Sequence, residues 1–141
     1  MRINSIQQRY GGKRIDYSLT FTLSPFRYSI SNNPISLTNG GTVAYSGTRY
    51  GKPVISGVVG AAGDIIVYSS DGSVQDILTV KDCTVGETLY IDTQRKIVHD
   101  GTNVILNRVE GSYPILRKGN NTITWSGTFN SVQMVKNERW Y

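Results

Sequence analysis

Few residues in this 141-residue chain are able to do chemistry: one histidine (His99), one cysteine (Cys83) and ten carboxylates. A catalytic histidine needs a nucleophile or metal partners held close to it. His99 stands in "VHDGTN", and there Asp100 and Gly101 are the pair a tight hairpin turn asks for, so the turn accounts for Asp100. Cys83, in "KDCTVG", has no second cysteine and no histidine at zinc-ligand spacing. It reads as a small buried hydrophobe and cannot form a disulfide within the chain. Asp64, Asp71, Asp76, Asp82, Glu87 and Asp92 fall apart from one another on turns and strand ends. A glycosidase needs two carboxylates close together across a cleft, and the spacing singles out no such pair. "GVVGAAG", Gly57–Gly63, has the glycines of a phosphate cradle without the strand–loop–helix context, and reads as a turn between strands. The resulting expectation is a protein that is not an enzyme, with no catalytic residue, no metal and no cofactor.

The elements carrying these residues are strands. Ile15, Tyr17, Leu19, Phe21 and Leu23 alternate with polar residues up to Pro25, the pattern of a half-buried strand. Further strands are expected near Thr42–Tyr45, Val54–Val59, Ile65–Ser69, Ile77–Val80, Thr88–Asp92, Lys96–His99, Asn103–Leu106, Thr122–Trp125 and Ser131–Val135. No stretch keeps the spacing of an amphipathic helix, so almost no helix is expected. Turn signals sit between the strands: "TNGGTV", "SSDGSV" and "HDGTN". A type I′ turn at Asp100-Gly101 would pair Val98 with Asn103. Fifteen glycines and strands recurring every 8–12 residues or so predict an all-β antiparallel sandwich or jelly roll. The segment Ser31–Gly41 reads as a boundary, because the single long strand before it cannot bury its own face.

The stretch "SYPILRKGNNTITW", Ser112–Trp125, reads as a corner that aims the next strand. Pro114 fixes its own φ and holds Tyr113 extended. Leu116 is placed to plug the end of the sandwich. Gly119 can take the positive φ of a sharp bend, and Asn120 and Asn121 can bond backbone groups that the bend leaves unpaired. Ile123 and Trp125 then share the core face.

Binding rests on aromatics and charge. Nine tyrosines and two tryptophans supply a possible platform for a sugar or a protein partner among Tyr45, Tyr50, Tyr68, Tyr90, Tyr113, Trp125, Trp140 and Tyr141. Tyr45, Tyr50, Tyr68, Trp140 and Tyr141 are the named candidates, and core packing is the competing role for most of the set. The net charge of +5 is spread from Arg2 to Arg139 with no block of like charges, which argues against nucleic-acid binding. "MRINSIQQRY" has no apolar core of a signal peptide, and no run reaches the roughly eighteen apolar residues of a membrane helix. No membrane association is expected, and an extracellular role would need release without a conventional secretion signal.

Taken in order, "NGG", "GKPVISGVVG", "LYIDTQRKIVHDGTN", "SYPILRKGNNTITW" and the terminal "NERWY" resemble the C-terminal domain of siphophage distal tail proteins, the hub component of the phage tail tip. The matching positions are Asn39, Gly41, Pro53, Ile91, Asp92, Pro114, Leu116, Gly119 and Asn121. "TFTLSPFRY" resembles the chain leading out of the family's ring-forming N-terminal part. The resemblance implies a galectin-like β-sandwich over residues 34–141. It makes residues 1–33 the last strand and linker of a ring-forming domain that is mostly missing here, so ring assembly would fall outside this chain. It further implies a virion protein of the tail tip, made in the bacterial host cytoplasm. Docking partners would be a receptor-binding protein, a tail-associated tip protein and copies of itself. Galectin-type sugar sites use His-x-Asn-Pro-Arg and Trp-Gly-x-Glu stretches. In this chain His99 is followed by "DGTN" and Trp125 by "SGTF". A module that binds host cell-wall polysaccharide is the alternative function, and exposed tyrosines or tryptophans lining a concave sheet would favour it.

Overall fold

The two-residue period of the sequence becomes two antiparallel five-stranded sheets. A computed structural model describes residues 3–10, 13–19, 27–28 and 32–140. In chain order the strands are β1 (Ile3–Tyr10), β2 (Lys13–Leu19), β3 (Arg27–Tyr28), β4 (Ile35–Ser36), β5 (Gly41–Tyr45), β6 (Val54–Val59) and β7 (Gly63–Ser70). They continue as β8 (Gln75–Cys83), β9 (Thr88–Asp92), β10 (Ile97–His99), β11 (Val109–Gly111), β12 (Gly119–Ser126), β13 (Phe129–Val135) and β14 (Arg139–Trp140). One 3₁₀ turn, Leu106–Arg108, is the helical structure among the described residues, and no helix is long and apolar enough to cross a membrane.

The first sheet runs β10-β9-β6-β13-β4 and the second β11-β8-β7-β12-β5. Ile55, Leu89, Ile91, Val98 and Met134 point inward from the first, and Val43, Ile65, Val67, Leu78, Val80 and Ile123 from the second, each at most 4% exposed. Burying each such side chain contributes about 1.5–3 kcal/mol, which makes this double layer the main source of stability. Gly57 faces inward because a Cβ there would lie 2.4 Å from the Phe129 ring. Phe129 in turn meets Trp125 edge-on, with centroids 6.2 Å apart.

Within the two five-stranded sheets, two bulges re-phase the strands. Between Asn130 and Gln133, β13 carries one more residue than β6, and Ser131 adopts φ +52°. Between Gly63 and Ile65, β8 carries the extra residue. There Asp82 takes φ +52° and its N–H donates to Asp64 Oδ1 at 3.0 Å. Each extra residue turns the following side chains to the opposite face.

Several local expectations need correction. The long alternating strand is not single: the polar residues ahead of it form a strand, β1, paired with β2 from Ile3–Leu19 to Tyr10–Lys13, because backbone pairing does not require an apolar sequence. The alternating strand is seen up to Leu19, and Thr20–Pro25 lie outside the described residues. Asn103–Leu106 is not a strand. Val104 alone bridges to His99, and the chain then enters the 3₁₀ turn, where Arg108 is held by Glu87 and by the Asp82 carbonyl. The hairpin register is also shifted. Asp100 Oδ1 accepts the Thr102 and Asn103 N–H groups, so the turn centres on Gly101-Thr102 rather than Asp100-Gly101. Asp100 therefore pairs with Asn103, and the Ile105 N–H reaches the Val98 carbonyl at 2.9 Å. The same device closes the β7–β8 hairpin, where Asp71 Oδ1 accepts from Ser73 and Val74.

Candidate docking site

The corner begins at buried Pro114, whose carbonyl accepts the Thr93 hydroxyl at 3.0 Å. Leu116 is fully buried, and its N–H and C=O both pair with Gly51, tying the corner to the loop after β5. Gly119 takes φ +102°, a conformation that favours glycine. Asn121 has no exposed surface. Its side chain accepts the Arg117 N–H at 2.9 Å and donates to the Arg117 and Gly119 carbonyls at 2.7 and 3.4 Å. Asn120 is exposed. Past Leu116 the Arg117 side chain lies largely covered, 15% exposed. There the guanidinium meets Asp76 at 3.0 Å and Asp71 at 3.9 Å, and lies 5.8 Å from the Tyr50 ring centroid. The backbone N–H groups of Val74 and Ser73, together with Arg117, hold the Asp71 carboxyl below its ordinary range.

Tyr50 is 63% exposed, so an aromatic ring next to a fixed guanidinium faces solvent at this end of the sandwich. A cleft of about 440 Å³ opens nearby, lined by Lys52, Lys96, Ser112, Tyr113 and Ile115 among others. Burial, with a smaller push from Asp92, raises the Tyr113 phenol. Tyr45 is not a surface residue. It is 2% exposed, and Gly47 and Gly51 leave the room its ring fills. Its hydroxyl donates to the Arg49 carbonyl at 2.7 Å and accepts the Arg139 N–H at 3.0 Å, and burial pushes its phenol up. Tyr45 therefore ties the loop 46–52 to β14, which also pairs with β3 through Tyr28–Arg139 and Arg27–Trp140. Trp140 is half-buried on β14, and Tyr141 lies outside the described residues. Tyr68 is half-buried on the outer face of the second sheet, opposite Thr124 and Ile77, far in sequence from this cluster.

The remaining turn residues hold shape. Gly41 donates its N–H to the Thr38 carbonyl, and the Asn39 side-chain amide pairs with both N–H and C=O of Trp125 at 2.9 and 2.8 Å. Gly101 takes φ +98° and donates its N–H to His99 Nδ1 at 3.1 Å. His99 stacks on Tyr90, with centroids 4.9 Å apart and planes 10° from parallel. Cys83 is buried and unbonded to other sulfur, and burial raises its thiol. Burial pushes the Glu87 carboxyl up, but the Arg108 guanidinium and the Thr84 N–H outweigh it, and the group lies below its ordinary range. Among the described residues no three His, Cys, Asp or Glu converge as a metal set.

The outer face of the first sheet holds a second concavity, about 320 Å³, lined by Pro34, Val54, Ser56, Tyr90, Gln133 and Val135. Ser56 lies directly between Tyr90 and Gln133 in the strand register. Sequence reading named Tyr50 and Tyr90 as aromatics but missed Arg117, Ser56 and Gln133. The signal for Arg117 was a cation inside a corner whose other members are apolar or turn residues. For Ser56 and Gln133 no local signal exists, because only cross-strand register brings them together.

No protein-family model matches the chain, and no curated protein sequence matches it. A solved structure shares the fold: the SPP1 Dit (gp 19.1) protein, described as a paradigm of hub adsorption apparatus in phages infecting Gram-positive bacteria. The TM-score is 0.72 at 13% identity, over 99% of this chain and 58% of that one. The chain thus spans little more than half the length of that protein.

Proposed function

We propose that this chain is a structural component of a phage tail tip, a β-sandwich module that docks other tail or baseplate proteins and carries out no bond-making chemistry. The observation carrying this reading is the shared fold with the SPP1 hub protein, at TM-score 0.72 over 99% of the chain. The ordered corner and turn residues support it independently of overall shape. The surface chemistry also favours docking. Tyr50, with Arg117 behind it, is the aromatic-and-arginine combination that dominates protein interfaces. The carboxylates at that end are committed to Arg117 and to backbone N–H groups, and so serve architecture rather than proton transfer. Candidate partners are a receptor-binding protein, a tail-associated tip protein and copies of this chain, in a virion assembled in the bacterial cytoplasm. Several copies around a tail axis would multiply weak contacts.

The test is location. Antibody raised against this chain should decorate the tail tip of virions purified from the lysate in which it is expressed, and peptides from residues 34–141 should appear in their digest. Virions that lack these peptides, or labelling on the head or along the tail shaft, would refute the reading.

A further inference from the structure

We propose that the slot between Tyr90 and Gln133 on the outer face of the first sheet is a binding site for a neutral pyranose. This goes beyond tail docking and does not rest on it. One transverse row of the sheet reads His99, Tyr90, Ser56, Gln133, Ser36, each directly opposite the next. His99 covers one face of the Tyr90 ring and fixes its plane. On the other side of Tyr90 stands Ser56, too small to fill the space, and beyond it Gln133. A small residue between two long ones leaves a slot walled by an aromatic face on one side and an amide on the other. Pro34, Val54 and Val135 supply its apolar rim. Its volume, about 320 Å³, falls within the range of small-molecule clefts, roughly 300–1,000 Å³.

The chemistry of the lining selects the ligand class. No charged side chain lines the slot, which disfavours phosphate- and carboxylate-bearing ligands. The Ser56 hydroxyl, the Tyr90 hydroxyl and the Gln133 amide have no hydrogen-bond partner among the described residues, and so offer donors and acceptors without breaking anything. A pyranose presents a flat C–H face to an aromatic ring and a rim of hydroxyls to amides and hydroxyls, and both halves of this slot answer that pattern. An apolar peptide side chain would use the aromatic wall and leave the amide wall unpaired.

The test is an amide-shift titration of the full chain with the methyl glycosides of glucose, galactose, rhamnose and N-acetylglucosamine, with glycerol as control. At least one glycoside should move the Ser56, Tyr90 and Gln133 resonances with Kd of roughly 1–10 mM, typical of a single shallow subsite. Tyr90→Ala should weaken it about tenfold, equivalent to ~1.4 kcal/mol. Ser56→Leu fills the slot from the solvent side, and should abolish binding with the melting temperature unchanged. Gln133→Ala provides a second variant should Ser56→Leu fold poorly. The inference is overturned by any of four results. No glycoside shifts these residues at roughly tenfold above that Kd range; glycerol shifts them equally; binding survives Ser56→Leu or Gln133→Ala; or a proline-rich peptide binds there and no sugar does.

Discussion

Asn121→Asp isolates the corner by changing one donor into an acceptor at constant size. In the native chain the buried Asn121 side chain accepts one N–H and donates to two carbonyls, with the short bond to Arg117 O at 2.7 Å. An aspartate keeps the accepted bond and loses both donated ones. It also places a carboxylate against the carbonyl it formerly bonded, with no exposed surface. Leaving a buried carbonyl unpaired costs about 1–3 kcal/mol, and a buried unpaired charge raises the total to about 3–5 kcal/mol. A domain of this size has about 5–15 kcal/mol to lose, so the variant should still fold at neutral pH, with a much lower urea midpoint. Burial and the facing carbonyl raise the new carboxyl's folded-state pKa above its unfolded value. Unfolding then releases a proton between those two values, and the deficit relative to the native chain shrinks as pH falls through the folded value. Once protonated, the carboxylic acid can donate to Arg117 O. Trp125 packs against the core, so urea titrations followed by tryptophan fluorescence at a series of pH values read both quantities. A deficit below about 1 kcal/mol at pH 7, or one independent of pH, would refute the view that this amide holds the corner.

Three further outcomes follow from other parts of the core. Gly57→Ala should cost about 1–3 kcal/mol by calorimetry, because the new Cβ meets the buried Phe129 ring at 2.4 Å, and a loss within error would mean the ring moves freely. Glu87 has a depressed pKa, so its contribution is present above the ordinary carboxylate value of 4.5 and is lost as pH falls through the lower folded value. Glu87→Gln should accordingly flatten the acid limb of the stability curve, and an unchanged limb would remove the Arg108 pair as its cause. Cys83 is buried with a raised thiol pKa, so Ellman's reagent should react with it at pH 8 only at denaturant concentrations that open the sandwich, and prompt reaction in buffer would contradict its burial.

The layer architecture was legible because alternation survives wherever a strand has one dry face. Val54–Val59 and Thr88–Asp92 match the observed strands residue for residue, and Ile65–Ser69 and Ile77–Val80 sit inside longer ones. What failed was local. An Asp-Gly pair predicts a turn centred on itself, whereas the aspartate's side chain captures the N–H groups two and three residues on and moves the centre one residue along, at Asp100 as at Asp71. Asn103–Leu106 has strand-like composition, yet Arg108 pins the chain to Glu87 and Asp82 across 21 and 26 residues, and no window on the sequence contains that pair. Tyr45 shows the converse error. Its type invites a surface role, and only two glycines that yield space to its ring reveal that it belongs inside.

The slot was illegible for a reason that can be stated in residues. Strict alternation from inward-facing Phe129 would send Ser131, Gln133 and Val135 to the core and Val132 and Met134 to solvent. The observed pattern is the reverse after Ser131: Val132 and Met134 are buried, at 4% and 0% exposure. The extra residue at Ser131, in its φ +52° conformation, makes the reversal and turns Gln133 outward to face Ser56. The sequence does hold the trace, since apolar residues at 129, 132 and 134 are spaced by three and then by two, and a spacing of three inside a strand marks a bulge. The same arithmetic applies at Val80 and Cys83, where the spacing of three brackets the bulge at Asp82. The bulge is therefore what reconciles this sequence with an outward Gln133: at the same length but without the bulged conformation at Ser131, plain alternation would carry the Gln133 amide into the interior and expel Met134. A chain lacking Ser131 regains plain alternation with Phe129, Val132 and Met134 inward and Gln133 outward, so it should keep both fold and slot, as should Ser131→Gly, which relieves the positive φ; a deletion variant that no longer unfolds cooperatively in urea would refute this account of the bulge.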